Sequence, residues 1–137
     1  MAESWIEQRN RDGVDLVNRL LSQPRISFEH LVPSSLPNSP GLSAIYEVDQ
    51  PDACPIRAGR TRSGGLRQRL YVNHLMGNQS GNLRRQLVDR GRVPDLDAAK
   101  DWIRANCALR YLVLQDADAL IWGEHFMLAM LRPEFGD

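Results

Sequence analysis

Apolar positions recur along the chain with two spacings. Over 5–22 they fall at Trp5, Ile6, Val14, Val17, Leu20 and Leu21, which predicts an amphipathic helix weakened by Gly13. From residue 42 they alternate. Leu42, Ala44, Tyr46 and Val48 face one way and predict a strand over 42–48. Asp49-Gln50-Pro51-Asp52 is turn chemistry, and PIRAGRT (55–61) reads as a shorter strand folding back on the first as a hairpin. The helical spacing then returns over 66–76 (LRQRLYVNHLM), closed by Gly77-Asn78. It continues over 82–90, stopped by Gly91, and over 96–106, where Asp95 is the N-cap. A third strand is predicted over 108–116, with Leu109, Tyr111, Val113 and Gln115 alternating with Arg110, Leu112 and Leu114. Asp116 or Asp118 caps a last helix that runs to about Leu131, and Pro133 forbids its continuation. That helix is apolar almost all round, which predicts deep packing.

Between the first helix and the first strand, four prolines (24, 33, 37, 40) and the polar residues Ser34, Ser35, Asn38 and Ser39 make 24–41 a connector. It is expected to hold one helical turn around Phe28–Leu31. The expected fold class is therefore α+β. A small three-stranded antiparallel sheet flanked by helices fills 41–137, and an N-terminal helix with a Pro-rich connector (1–40) lies on it.

At 137 residues, 42% hydrophobic and 25% charged, the composition is that of a globular domain. It excludes a disordered tail, a collagen or coiled-coil rod and a disulfide scaffold. No apolar run reaches the ~18 residues of a membrane span. The first residues, MAESWIEQRNRDG, hold no signal-peptide core, and Cys54 and Cys107 show no metal-ligand spacing. A cytoplasmic protein with reduced thiols is the expectation.

The net charge of zero hides an uneven distribution. Residues 57–92 carry nine arginines against Asp89 alone, a balance of +8, while each flank stands at −4. The guanidinium fork matches phosphate oxygens. Such a block suggests either an anionic partner docking on one face or a basic patch paired with the acidic flanks.

Three residues draw attention on chemical grounds. Glu124 interrupts the apolar last helix, where a carboxylate needs either an arginine or a metal ion. Arg69 sits at the margin of the core-facing side of its helix, as a held guanidinium or as a snorkelling side chain. His74 lies near a helix end, as a proton-transfer group or as a carbonyl cap. His30 and His125 carry no spacing signal. GRTRSGG lacks the Lys-Ser/Thr pairing of a P-loop.

The ordered set AIYEV (44–48), RAGRT (57–61), LRQRL (66–70), His74, Glu124 and LRPEF (131–135) resembles the GIY-YIG endonuclease superfamily. The resemblance covers about 42–137. Ala44-Ile45-Tyr46 stands for GIY, and Arg57-Ala58-Gly59 stands for YIG with its tyrosine replaced by arginine. Arg60-Thr61 matches the basic-Thr pair, and Leu66 with Arg69 matches L-x-x-R. His74 lies about one residue from the family's helix histidine. Glu124 matches the metal-binding glutamate, followed nine residues on by Pro133, and Gly136 replaces a frequent Asn.

The resemblance implies a metal-dependent DNA endonuclease. Glu124 would hold Mg²⁺ or Mn²⁺, and Arg69 would clamp the phosphate. Tyr46 would activate water, with His74 as the alternative base. Arg57, Arg60, Thr61, Arg67, Arg84 and Arg85 would contact DNA phosphates. Loss of the second tyrosine leaves open a catalytically degenerate DNA-binding or protein-interaction module. A third possibility is a structural protein in which Glu124 only pairs with an arginine.

Overall fold

The computed structural model describes residues 4–62 and 64–136; Ser63 of the expected turn and Asp137 lie outside them. Helix α1 spans Trp5–Leu21, with Ser4 accepting from the Glu7 N–H at its start. Strands β1 (Ile26–Ser27), β2 (Gly41–Glu47), β3 (Arg57–Arg60) and β4 (Cys107–Val113) form the sheet. Helices follow at Gln68–Leu75, at α2 (Leu83–Asp89), at α3 (Leu96–Asn106) and at α4 (Ala117–Leu131). Asp95 and Asp116 accept from the Ala98 and Ala119 N–H groups and so cap α3 and α4.

The architecture is α+β, as expected, but the sheet has four strands, in the order β1-β4-β2-β3, all antiparallel. The extra strand lies inside the expected connector, where Ile26 pairs with Leu109 and Ser27 with Ala108. Two residues are too short for alternation to signal a strand. The same connector closes one turn at Phe28–Leu31 and a 3₁₀ turn at Pro33–Ser35, where the fixed φ of Pro33 starts the turn.

Both faces of the sheet are covered. Leu42, Ala44, Tyr46, Ala58 and Leu112 pack with Leu16, Val17 and Leu20 of α1 and with Met127 and Leu131 of α4. Ile45 and Leu109 face the other way, onto Leu70 and Leu75, Leu83 and Leu87 of α2, and Ala99 and Ile103 of α3. The connector adds Phe28, Leu31 and Leu36 to that second core. Residues of 1–40 thus enter both cores. Val48 lies past the end of β2 and is exposed.

Two helices depart from their expected form. Helix α4 packs on one side only, so Ile121, Trp122 and Met130 remain exposed despite its apolar composition. The helix at 68–75 is a π-helix, with the Met76 N–H donating to the Tyr71 carbonyl five residues back at 3.1 Å. Its buried residues, Arg69, Leu70, His74 and Leu75, repeat at five. No described helix is long and apolar enough to cross a membrane.

Candidate functional site

The site is built at the free edge of β3. The Arg60 N–H points away from β2, since the Thr61 N–H is the one that bonds back to Gly41. Glu124, on α4, reaches that edge. Its Oε2 accepts from the Arg60 N–H at 2.9 Å and its Oε1 from Arg60 Nε at 3.2 Å. Arg62 Nη2 stands 3.6 Å from Oε1. Glu124 is 3% exposed, so these donors compensate a carboxylate that burial would otherwise penalise.

Arg69 comes from the opposite side of the sheet. A Cβ added to Gly59 would collide with Arg69 Nη2 and stand 3.3 Å from Glu124 Oε2. The guanidinium and the carboxylate therefore both border Gly59, and a side chain at 59 would push the Arg69 guanidinium from this place. Gly59, Arg60, Arg69 and Glu124, distant in sequence, meet in space.

The phenol of Tyr46 does not join them. Tyr46 lies four residues along β2 from Leu42, the partner of Arg60, a separation of ~13 Å along the strand. Its hydroxyl donates to the Asp52 carbonyl at 2.8 Å, inside the hairpin loop at the far end. The ring is stacked by Arg25, 4.2 Å from its centre, and Arg110, 5.5 Å away. Asp52 Oδ1 ties both arginines, at 3.0 and 2.6 Å. Burial raises the phenol pKa above its ordinary value, against the opposing pull of Arg110. The tyrosine is the centre of a structural clamp. Its arginines were legible only in that Arg110 interrupts a strand of apolar residues.

His74 is buried against the second core. Nδ1 accepts from the Leu83 N–H at 3.0 Å, which places the ring proton on Nε2. Nε2 has no hydrogen-bond partner among the described residues. Burial first, then Arg69 and Arg57, hold the imidazole pKa well below its usual value. A neutral ring whose acceptor nitrogen is already used is a donor, not a base.

Part of the arginine block is turned inward. Arg57 is buried and donates to the Gly136 carbonyl at 2.6 Å. Arg67 donates to the Leu36 carbonyl at 3.0 Å, and Arg84 to Leu96 and Met76 at 2.8 and 2.7 Å. Thr61 is buried, with Oγ1 accepting from the Gly41 N–H at 3.1 Å. Arg85 pairs with Asp89 one turn on, at 2.9 Å. Arg57, Thr61, Arg67 and Arg84 thus bind the protein's own groups instead of presenting a phosphate-binding face. Arg60 and the half-exposed Arg62 remain at the rim of the site. The contact of Arg62 with Glu124 is not foretold by the sequence, because nothing local marks which rim arginine reaches the acid.

The donor set can be tested against a metal. Glu124 ties Oε2 to rigid backbone and turns Oε1 toward the guanidinium groups of Arg60 and Arg62. One carboxylate oxygen suits Mg²⁺ or Mn²⁺, which keep most of their waters and ask one or two carboxylates of a protein. The fit requires Arg60 and Arg62 to swing aside. No group of three or more His, Cys, Asp and Glu that would make a full protein cage occurs among the described residues.

The chain matches no family model, no curated protein and no solved structure.

Proposed function

We propose that the protein is a divergent GIY-YIG-like phosphodiesterase acting on DNA. The observation that supports this reading is the meeting of Arg69 and Glu124 beside Gly59. In this reading Arg69 binds the phosphoryl oxygens and holds the phosphate against Gly59, where no side chain intervenes. Glu124 would hold a divalent ion, which would supply polarisation of the phosphate and stabilisation of the leaving oxygen. Arg60 and Arg62 leave the carboxylate and turn to the substrate anion, so that charge is exchanged rather than accumulated.

A second reading has a specific observation behind it. Tyr46 is fixed at the far end of the hairpin, and Arg57 stands where a second phenol is expected, so neither of these two positions places a phenol beside Arg69 and Glu124. A module of this fold that binds DNA without cutting it fits that arrangement.

The test is nicking of supercoiled plasmid in Mg²⁺ and in Mn²⁺, alongside salt-dependent binding to labelled duplex. Nuclease activity is expected to fall by about 10² or more in Glu124→Gln and Arg69→Ala, the size of a lost transition-state contact. Gly59→Ala is expected to abolish it by displacing Arg69. Binding that weakens with salt but yields no product leaves the second reading. Failure to bind at low salt overturns both.

A further inference from the structure

Helix α1 is only half packed. Every residue from Trp5 to Asp12 is exposed, and burial begins at Gly13. Trp5 and Ile6, in the first turn of the helix, are 66% and 61% exposed. Beside them runs a cleft of about 720 Å³ between α1 and α4, lined by Arg9, Asp12, Trp122, His125 and Phe126. Trp122 of that lining is 42% exposed. Apolar area of this kind, rimmed by charge, marks an interaction site.

The charges on the surface indicate what covers it. The projecting turns carry Glu7 and Asp12 against Arg9 and Arg11, a balance of zero. A nucleic acid or any partner of one sign gains nothing from such a face. A copy of the same face does. Arg9 and Asp12 lie three residues apart on one side of α1, so two such helices packed antiparallel across a two-fold axis set each Arg9 against the partner's Asp12. The same rotation carries each Trp5 toward the partner's cleft, where Trp122 and Phe126 provide aromatic walls. Arg9, whose guanidinium lies 5.0 Å from the centre of its own Trp5 ring, holds the indole outward.

We propose that the chain forms an isologous homodimer through the projecting half of α1 and the α1–α4 cleft, with Trp5 as the anchor exchanged between copies. The interface is independent of the β3 edge and of the reading given to Glu124.

Sedimentation equilibrium of the full chain over a concentration series tests it. A monomer–dimer equilibrium is expected. Trp5→Glu and Trp122→Glu should each weaken it about tenfold or more, as loss of an aromatic anchor does, with an unchanged far-UV spectrum. The charge variants are the sharper arm. Arg9→Asp alone and Asp12→Arg alone each place like charges across the axis and weaken the dimer, whereas the double variant restores it. A chain that stays monomeric overturns the proposal. So does a dimer indifferent to the tryptophan variants, which uses another surface. A double variant no better than its parents overturns the antiparallel pairing.

Discussion

A buried histidine with one nitrogen satisfied and the other not is sensitive to protons. His74 accepts from Leu83 through Nδ1, and its folded pKa lies well below the ordinary value because charging it would cost desolvation beside Arg69 and Arg57. In the unfolded chain it titrates near 6.5. The unfolded state therefore binds more protons as the pH drops through that value. The stability that neutral His74 contributes is complete above pH ~6.5 and is lost progressively below it, toward the depressed folded pKa. Urea midpoints at pH 7.5 and 5.5 are expected to differ more for the wild type than for His74→Gln, which can accept from Leu83 without titrating. Equal slopes would remove His74 from the acid response. Asp52 is lowered by its hydrogen bonds to Arg110 and Arg25 and acts in the same direction at lower pH. The residue scale was partly legible. Glu124 was conspicuous because a carboxylate on an apolar helix demands a partner. Which partner it took was not legible, since the Arg60 N–H becomes available only once β3 is an edge strand.

At the scale of the element, the 68–75 helix shows what spacing encodes. Leu66, Leu70 and Leu75 step by four and then five, so an α-helix would rotate the last of them out of the core. The i→i+5 register keeps Leu70 with Leu75 and Arg69 with His74 on one side. A π-helix is seldom stable by itself, and here the buried pairs hold it. Deleting Val72, which is exposed, leaves both pairs at i→i+4. That variant is expected to fold as an ordinary α-helix, with a stability from urea unfolding within about 1 kcal/mol of the wild type. A loss of ~3 kcal/mol or more would mean that packing beyond these pairs sets the register. The main helices and the β2–β3 hairpin were legible from period and caps. The π register lay in one step of five, from Leu70 to Leu75, too short a signal to set apart from an α-helix, and β1 was hidden by its length.

At the scale of the molecule, the N-terminal segment is part of both cores. Leu16, Val17, Leu20, Phe28, Leu31 and Leu36 are all nearly inaccessible. At ~2 kcal/mol for each buried side chain, they contribute about 10 kcal/mol, comparable to the whole stability of an ordinary domain. A fragment of residues 41–137 is therefore expected to lack a cooperative thermal transition by calorimetry and a native near-UV spectrum. A sharp transition in that fragment would show that the segment is dispensable. The arginine block belongs to this scale too. Charge counted along the chain suggested an outward basic face, but folding commits Arg57 and Arg67 to carbonyls far away in sequence and Arg84 to carbonyls of neighbouring elements, which no count of charge can show. The flank of β3 carries one last consequence. Glu124 occupies the outward amide of Arg60, and Phe135 donates to the Ile56 carbonyl, so this margin of the sheet is sealed at both ends. A stray chain finds fewer open rungs there to zip onto, and the acid at the heart of the proposed chemistry also blunts this edge against runaway fibre growth.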